Sequence, residues 1–284
     1  LDQAAFMRFR RPRDLACLQA PLDIANGNAS VISRMFAFEY SALFRGMLPF
    51  LARHDLLLPL GGTSNHFRRS VLDEVGAWDP YNVTEDADLG LRLARFGYRA
   101  ATITRPTLED APTDFRTWLP QRTRWFKGWC QTWLVHMREP RRLHRELGGA
   151  SFLIAQILFL GMVVSSLAHP LLVLGAVFFT AKLAAGATLS TGQSLLLLVD
   201  VANVVCGYVS FLLLGWQTLD PPSRRHFWRI VVWTPVYWMM MSVAAWRSVW
   251  QLWRKPHLWE KTPHPKAGVA VPHTVTTIGL TRGV

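Results

Sequence analysis

The chain has 284 residues, half of them hydrophobic and 18% charged, and 31 Lys and Arg against 19 Asp and Glu leave a net charge of +12. This profile excludes an ordinary soluble globule. Basic clusters beside long apolar runs point to a membrane flank and an anionic substrate rather than nucleic acid, and neither zinc-finger spacing nor a lysine-rich tail argues otherwise.

The opening Ala4-Ala5-Phe6-Met7-Arg8-Phe9 reads as the middle or end of an amphipathic helix. It follows Leu1 rather than Met and shows no basic-then-apolar leader, so the expectation is a fragment that lacks its upstream part. Cys17, Cys130 and Cys206 stand far apart, without metal-ligand spacing or a disulfide framework, and read as buried thiols.

Residues 14–24 read as a short buried strand ended by Pro21. A turn follows at Asn26-Gly27-Asn28, with Ser30 as candidate N-cap of a long amphipathic helix over 31–53, where Met35, Phe36, Phe38, Leu43, Met47, Leu48 and Leu51 recur at helical spacing. An apolar run at 56–60 then passes into Gly61-Gly62-Thr63-Ser64-Asn65-His66. Backbone amides and short polar side chains at this spacing suit a hydroxyl-rich ligand, and a plain turn before a helix at 68–75 explains them equally well.

Asp79-Pro80-Tyr81-Asn82 is turn chemistry, after which a helix is predicted to open at Thr84-Glu85-Asp86 and to run to Phe96-Gly97. A strand is expected over 98–104 and a second helix over 114–137. Arg138, Arg141, Arg142, His144 and Arg145 then form a basic belt.

Between Glu146 and Lys182 lie 35 residues without a charge, interrupted only by His169-Pro170. The run holds either one membrane span preceded by an interfacial helix or a tight hairpin of two. Residues 194–219 are a second span, with Asp200 near one end. The third run, 230–246, contains Pro235, has arginines on both sides and lies in a stretch with six Trp between 228 and 253. An interfacial helix leaves both basic clusters on the cytoplasmic side, so it is preferred to a crossing, and the tail falls on that face too.

Two constellations carry chemistry. Asp86 opens a helix whose N-terminal field keeps a carboxylate ionised, as a general base requires. Capping accounts for the same triplet, with Thr84 as cap and Glu85 and Asp86 complementing the dipole. Downstream, Gln121, Arg124 and Trp125 stand at i, i+3 and i+4 on one helical face: an amide for hydroxyls, a guanidinium for a diphosphate and a flat apolar wall for a sugar ring. The alternative is an amphipathic helix lying on the membrane, with Arg122, Lys127, Trp129 and Trp133 at the interface.

Thr84-Glu85-Asp86 and Gln121-x-x-Arg124-Trp125, at this spacing and ahead of membrane segments, resemble the processive membrane glycosyltransferases of family 2, the cellulose, hyaluronan and exopolysaccharide synthases. The resemblance implies an α/β fold, the C-terminal half of a GT-A-like nucleotide-sugar transferase domain followed by a helical membrane region. It divides the chain into a partial catalytic domain over 1–146, transmembrane and interfacial helices over 147–256, and a cytoplasmic tail over 257–284.

It also implies roles. Asp86 would be the base, with Glu85 and Thr84 in its motif. Gln121, Arg122, Arg124 and Trp125 would line the acceptor and diphosphate end, and Gly62, Thr63 and Ser64 would hold the acceptor at a channel mouth. Trp259, Lys261, Thr262 and His264 are similar in placement to a gating segment that contacts nucleotide.

Family members also carry an upstream Asp-x-Asp-like motif that holds Mg or Mn. Asp86 and Asp88 form such a string only on helix-opening positions, so no metal site is expected in this chain. The implied activity is inverting transfer from a nucleotide sugar, UDP-linked, to a growing polysaccharide. It would run at the cytoplasmic face of the inner membrane, in contact with lipid and without nucleic acid, and this fragment is expected to be inactive alone. The alternatives are a non-processive transferase acting on a lipid-linked sugar and a non-catalytic membrane subunit.

Overall fold

The computed structural model of the protein describes residues 14–256, 258 and 260. The helix expected over 4–9 and the positions Trp259, Lys261, Thr262 and His264 lie outside them.

Strand β1 (Leu15–Gln19) is buried along its whole length, as a strand covered on both faces requires. It is the middle of a three-stranded sheet, antiparallel to β3 (Asn65–Phe67) and parallel to β4 (Arg99–Thr102). Pro21, which lacks an N–H, ends β1, and the chain resumes as β2 (Leu22–Ile24). That strand pairs in parallel with β5 (Thr107–Glu109) in a separate two-stranded sheet. The single strand expected over 14–24 is therefore two strands in two sheets.

Ser30 caps α1 (Val31–Tyr40), its Oγ accepting from Ser33 N at 3.0 Å while Ser33 Oγ accepts in turn from Ser30 N at 2.9 Å. The helix continues through a π-helical stretch, Ser41–Met47, into α2 (Leu48–Arg53), so the helix expected over 31–53 is present with a widened middle. A short α3 (Arg69–Glu74) leads to α4 (Glu85–Arg95), after which Gly97 turns the chain at φ 80°.

The long α5 (Phe115–His136) starts on Asp114, whose Oδ1 accepts from Thr117 N at 2.9 Å. Trp118, Arg122, Phe126 and Lys127 on it are almost fully buried, because the last long helix, Phe227–Arg254, packs along it. A helix lying on a membrane with Arg122 and Lys127 at its interface is thereby excluded. Lys127 Nζ instead donates to the carbonyls of Lys255 and Leu258, at 2.8 and 2.9 Å.

Helix α6 (Pro140–Ala155), a second π-helical stretch, Gln156–Gly161, and α7 (Met162–Ala184) follow as a rod kinked within α6. His169-Pro170 lies inside α7, so the hairpin of two considered for this run does not form. Gly148 breaks the rod at φ 73°, ψ 166°, two residues after Glu146. Helix α8 (Thr191–Thr218) packs along α7, a short α9 (Pro221–Arg224) follows, and α10 (Phe227–Arg254) packs on α5 and α7.

One buried apolar cluster runs from Ala16 and Cys17 in β1 through Trp118 and Phe126 to Ala244 and Ala245 in α10. Among the described residues, two helices are long and apolar enough to cross a membrane: the rod Pro140–Ala184 and α8. Their outward faces expose Leu171, Leu174 and Phe178 on one and Leu195, Leu196 and Leu198 on the other.

Candidate active site

The Gly61–Ser64 loop is shaped by Gln19, a fully buried amide at the end of β1. Its Oε1 accepts from Gly61 N at 2.8 Å, and its Nε2 donates to the carbonyls of Ala20 and Thr63, at 2.9 and 3.0 Å. Thr63 Oγ1 donates to Glu109 at 2.7 Å. The loop brings Gly62 to the second motif: a Cβ there would lie 3.3 Å from Asp86 Oδ2. Ser64, at φ 60°, turns its hydroxyl to Thr107.

The entry to α4 is tied to α5 through Asn82, whose Oδ1 accepts from Thr84 N at 3.0 Å and whose Nδ2 donates to Thr132 Oγ1 at 2.8 Å. The Thr84 side chain makes no cap bond. It rests on α5 at Gly128, so capping does not account for Thr84.

Asp86 Oδ1 accepts from Trp78 Nε1 at 3.0 Å. Burial and the neighbouring Glu85 charge push the Asp86 carboxyl up to about 6, against the opposing pull of the Trp78 bond and Arg124. This value suits a base working near neutral pH.

Gln121, Arg124 and Trp125 face Asp86 across a cavity of about 1610 Å³, whose walls also include Gly61, Gly62, Thr63, Thr84 and Glu85. Gln121 Oε1 and Arg124 Nε are buried and meet no hydrogen-bonding partner among the described residues. Unpartnered groups of this kind are uncommon in interiors and fit a polar ligand. Burial pushes the Arg124 guanidinium below its ordinary value, and Glu85 and Asp86 oppose that shift.

Arg122 has a different place from the diphosphate end that the resemblance implies. Its Nη1 and Nη2 donate to Glu39 at 2.6 and 2.8 Å, and Nη2 also reaches Tyr237 Oη at 3.1 Å. The guanidinium stacks on the Trp125 ring, 4.6 Å from its centroid. It touches the cavity as part of the wall, with its fork occupied by protein. One helical step separates Arg122 from Gln121, which turns it to another face.

Asp88 is also absorbed by the protein. Although burial pushes its carboxyl up, His136 and Arg92 hold it below the usual range, at 2.8 and 2.7 Å. Arg95 can only donate to His136 Nδ1, at 2.8 Å, so the ring proton sits on Nε2 and is donated to Asp88. With both Asp88 oxygens engaged, Asp86 and Asp88 do not converge. Among the described residues, no group of three or more His, Cys, Asp or Glu is placed to hold a metal ion. These residues do not fit Mg or Mn.

The far limb of the cavity runs between the long helices and is mostly apolar, with Phe159, Met162, Phe211, Trp238 and Met241 on its walls and His169 among them. His169 Nε2 is engaged by Tyr208 Oη at 3.1 Å.

Trp78, Glu39 and Glu109 escaped the reading of the sequence. Glu39 looks like the solvent side of an amphipathic helix, and nothing local pairs it with a residue 83 positions away. Trp78 carried a signal, an indole in a Gly-Ala-Trp-Asp-Pro turn just before the acidic motif.

A carboxylate at a helix start thus shares one partly apolar cavity with an amide, a guanidinium and an indole, groups that can bond hydroxyls, meet an anion and cover a flat apolar face. The chain belongs to glycosyl transferase family group 2, whose family model matches residues 1–256.

It is 35% identical over 68 residues to the probable glycosyltransferase YdaM of Bacillus subtilis, a match covering 24% of this chain and 16% of that protein. It is 31% identical over 105 residues to the beta-monoglucosyldiacylglycerol synthase of a Synechocystis species, covering 35% of this chain and 22% of that protein. The matches therefore span less than a quarter of these relatives' lengths. The structure of a Pyrobaculum calidifontis mannosyltransferase in complex with GDP-Man and Mn2+ overlays with a TM-score of 0.46 at 16% identity. That overlay covers 88% of this chain and 57% of the other.

Proposed function

We propose that these residues form the acceptor side of an inverting glycosyltransferase with a GT-A-like catalytic domain, which moves a sugar from a nucleotide donor, UDP-linked, to a growing polysaccharide. In this reading Asp86 takes the proton of the attacking acceptor hydroxyl. Gln121 bonds acceptor hydroxyls, Arg124 faces the diphosphate as it leaves, and Trp125 offers its ring to a sugar face. A single base opposite the leaving group needs no covalent intermediate, which accords with inversion.

The observation that carries this reading is the pairing across one cavity of a partly buried carboxyl, raised to about 6, with the unpartnered Gln121 Oε1 and Arg124 Nε. The outward leucines of α7 and α8 support placement in the inner membrane, with the α/β part on the cytoplasmic face and α10 at the interface.

The test is Asp86→Asn in the full-length protein reconstituted in lipid. Loss of a general base lowers transfer by about 10²–10⁴-fold. Unchanged transfer by a folded variant would refute the reading.

The apolar far limb favours a second reading, a single addition to a lipid-linked acceptor whose hydrocarbon lies along Phe159, Met162, Phe211 and Trp238. Product size separates the two: a ladder of lengthening chains for the first, one added sugar for the second.

A further inference from the structure

The turn between α3 and α4 holds two consecutive residues at positive φ, Gly76 at 82° and Ala77 at 50°, followed by Trp78. Alanine in this region stores strain and stays there only when its surroundings fix it. The fixing group is Arg92 on α4. Its Nη1 donates to Val75 O at 2.7 Å, its Nη2 to Ala77 O at 2.5 Å, and its Nε to Asp88 Oδ2 at 2.7 Å. Asp88 is itself buried against His136. Trp78 leaves this clamped turn with its ring edge-on to Phe67, centroids 5.4 Å apart, and its Nε1 on Asp86 Oδ1.

Asp86 and Asp88 are thus the two ends of one path, from Asp88 through Arg92, the carbonyls of the turn and Trp78 back to Asp86. We propose that Trp78 is a positioning residue for Asp86, and that Asp88 and Arg92 act on Asp86 through it by clamping the 75–78 turn. The proposal rests on the reading of Asp86 as the base. The indole N–H fixes Oδ1 and leaves Oδ2, the oxygen beside Gly62, toward the cavity. One carboxylate oxygen is anchored by the indole, and the other lies beside Gly62 on the side of the acceptor proton.

A donor to a carboxylate favours its ionised form. The charged groups around Asp86 are Glu85 on its own helix and Arg124 from α5; the same cavity walls carry Glu109, Asp110 and Asp114, the paired Glu39 and Arg122, and the titratable Tyr40, His169 and Tyr237, and the Gly62 loop adds none. Removing the indole N–H therefore leaves Glu85 and burial less opposed, and the carboxyl holds its proton to higher pH.

The experiment is the pH profile of kcat/KM for transfer by the full-length protein in lipid. Trp78→Phe keeps a ring against Phe67 and loses the donor. Its acid limb is expected to move up by about one pH unit, since a hydrogen bond to a charged group contributes roughly that much. Trp78→Gln restores an N–H and moves the limb back toward wild type. Arg92→Lys, which cannot hold both carbonyls and Asp88 together, shifts it in the same sense as Trp78→Phe. An unmoved limb in folded Trp78→Phe overturns the proposal; where that variant does not fold, an unmoved limb in Arg92→Lys overturns it. Asp86→Asn keeps the two ideas apart. Transfer surviving in Asp86→Asn removes the base reading, whereas a dead Asp86→Asn with an unmoved limb in the Trp78 variant removes only the positioning role.

Discussion

The Thr84 hydroxyl sits where a side chain on Gly128 would stand: a Cβ built on Gly128 lies 2.3 Å from Thr84 Oγ1. Gly128 is one turn beyond Arg124 on α5, so this contact sets the spacing between the two motifs. Gly128→Ala must push the start of α4 away. Overpacking costs about 1–3 kcal/mol, against about 1 kcal/mol gained in helix propensity. A lower melting temperature and a fall in transfer are expected, whereas Gly149→Ala, whose nearest neighbour would be His144 at 3.8 Å, leaves both near wild type.

The raised Asp86 carboxyl has opposite consequences for activity and stability. If Asp86 is the base, it works only when ionised, and transfer is expected to rise with pH through about 6. The folded state binds this proton more tightly than the unfolded chain, whose value is near 3.8. Its favourable contribution is therefore complete below about 4 and lost as pH rises through about 6. Above that pH the ionised group is a burden, and Asp86→Asn should abolish transfer while raising stability by about 1 kcal/mol, allowing for solvent screening. Melting curves at pH 5 and 8 check the sign: the gain appears at pH 8 and shrinks at pH 5.

Arg122 and Glu39 should behave as a buried pair. Arg122→Gln leaves the Glu39 carboxylate facing Tyr237 without its partner, which costs about 3–5 kcal/mol. Glu39→Gln combined with Arg122→Gln should recover part of that loss, and the coupling in a double-mutant cycle on thermal stability measures the pair.

Arg124→Lys keeps the charge and removes the fork. If the guanidinium meets the leaving diphosphate, kcat falls by about 10²-fold with little change in melting temperature, because Arg124 Nε holds no protein partner among the described residues. Arg122→Lys should instead lose stability first.

Leu174 points outward from α7 and is 63% exposed. If that face meets lipid, Leu174→Arg places a charge in hydrocarbon at about 2.5–3.5 kcal/mol and lowers the fraction of protein that resists alkaline extraction from membranes. Arginine on a water-facing surface would change nothing.

Local signals in the sequence carried far. Ser30 ahead of an apolar helical period, Gly97 after one and Asp114 before another each mark a helix end that the structure keeps, because a cap is chosen by residues within a turn of it. The shared face of Gln121, Arg124 and Trp125 was legible for the same reason. What was not legible depends on distant partners. Arg122 is taken up by Glu39 from α1 and Tyr237 from α10, and Asp88 by His136 from the far end of α5 together with Arg92. The split of 14–24 into two sheets likewise follows from pairings with β4 and β5, which no alternation within eleven residues encodes.

Both π-helical stretches border the cavity, Ala42, Leu43, Phe44 and Met47 from one and Ile157, Leu158, Phe159 and Gly161 from the other. A π turn absorbs an extra residue by widening while the helix on either side keeps its face, so deleting one residue from either stretch restores ordinary pitch and narrows the helix at the cavity wall. In the second stretch the change falls at Leu158, Phe159 and Gly161, while Met162 and His169 beyond it keep their side of the helix. The width of the far limb is thus set by chain length as well as by side-chain identity.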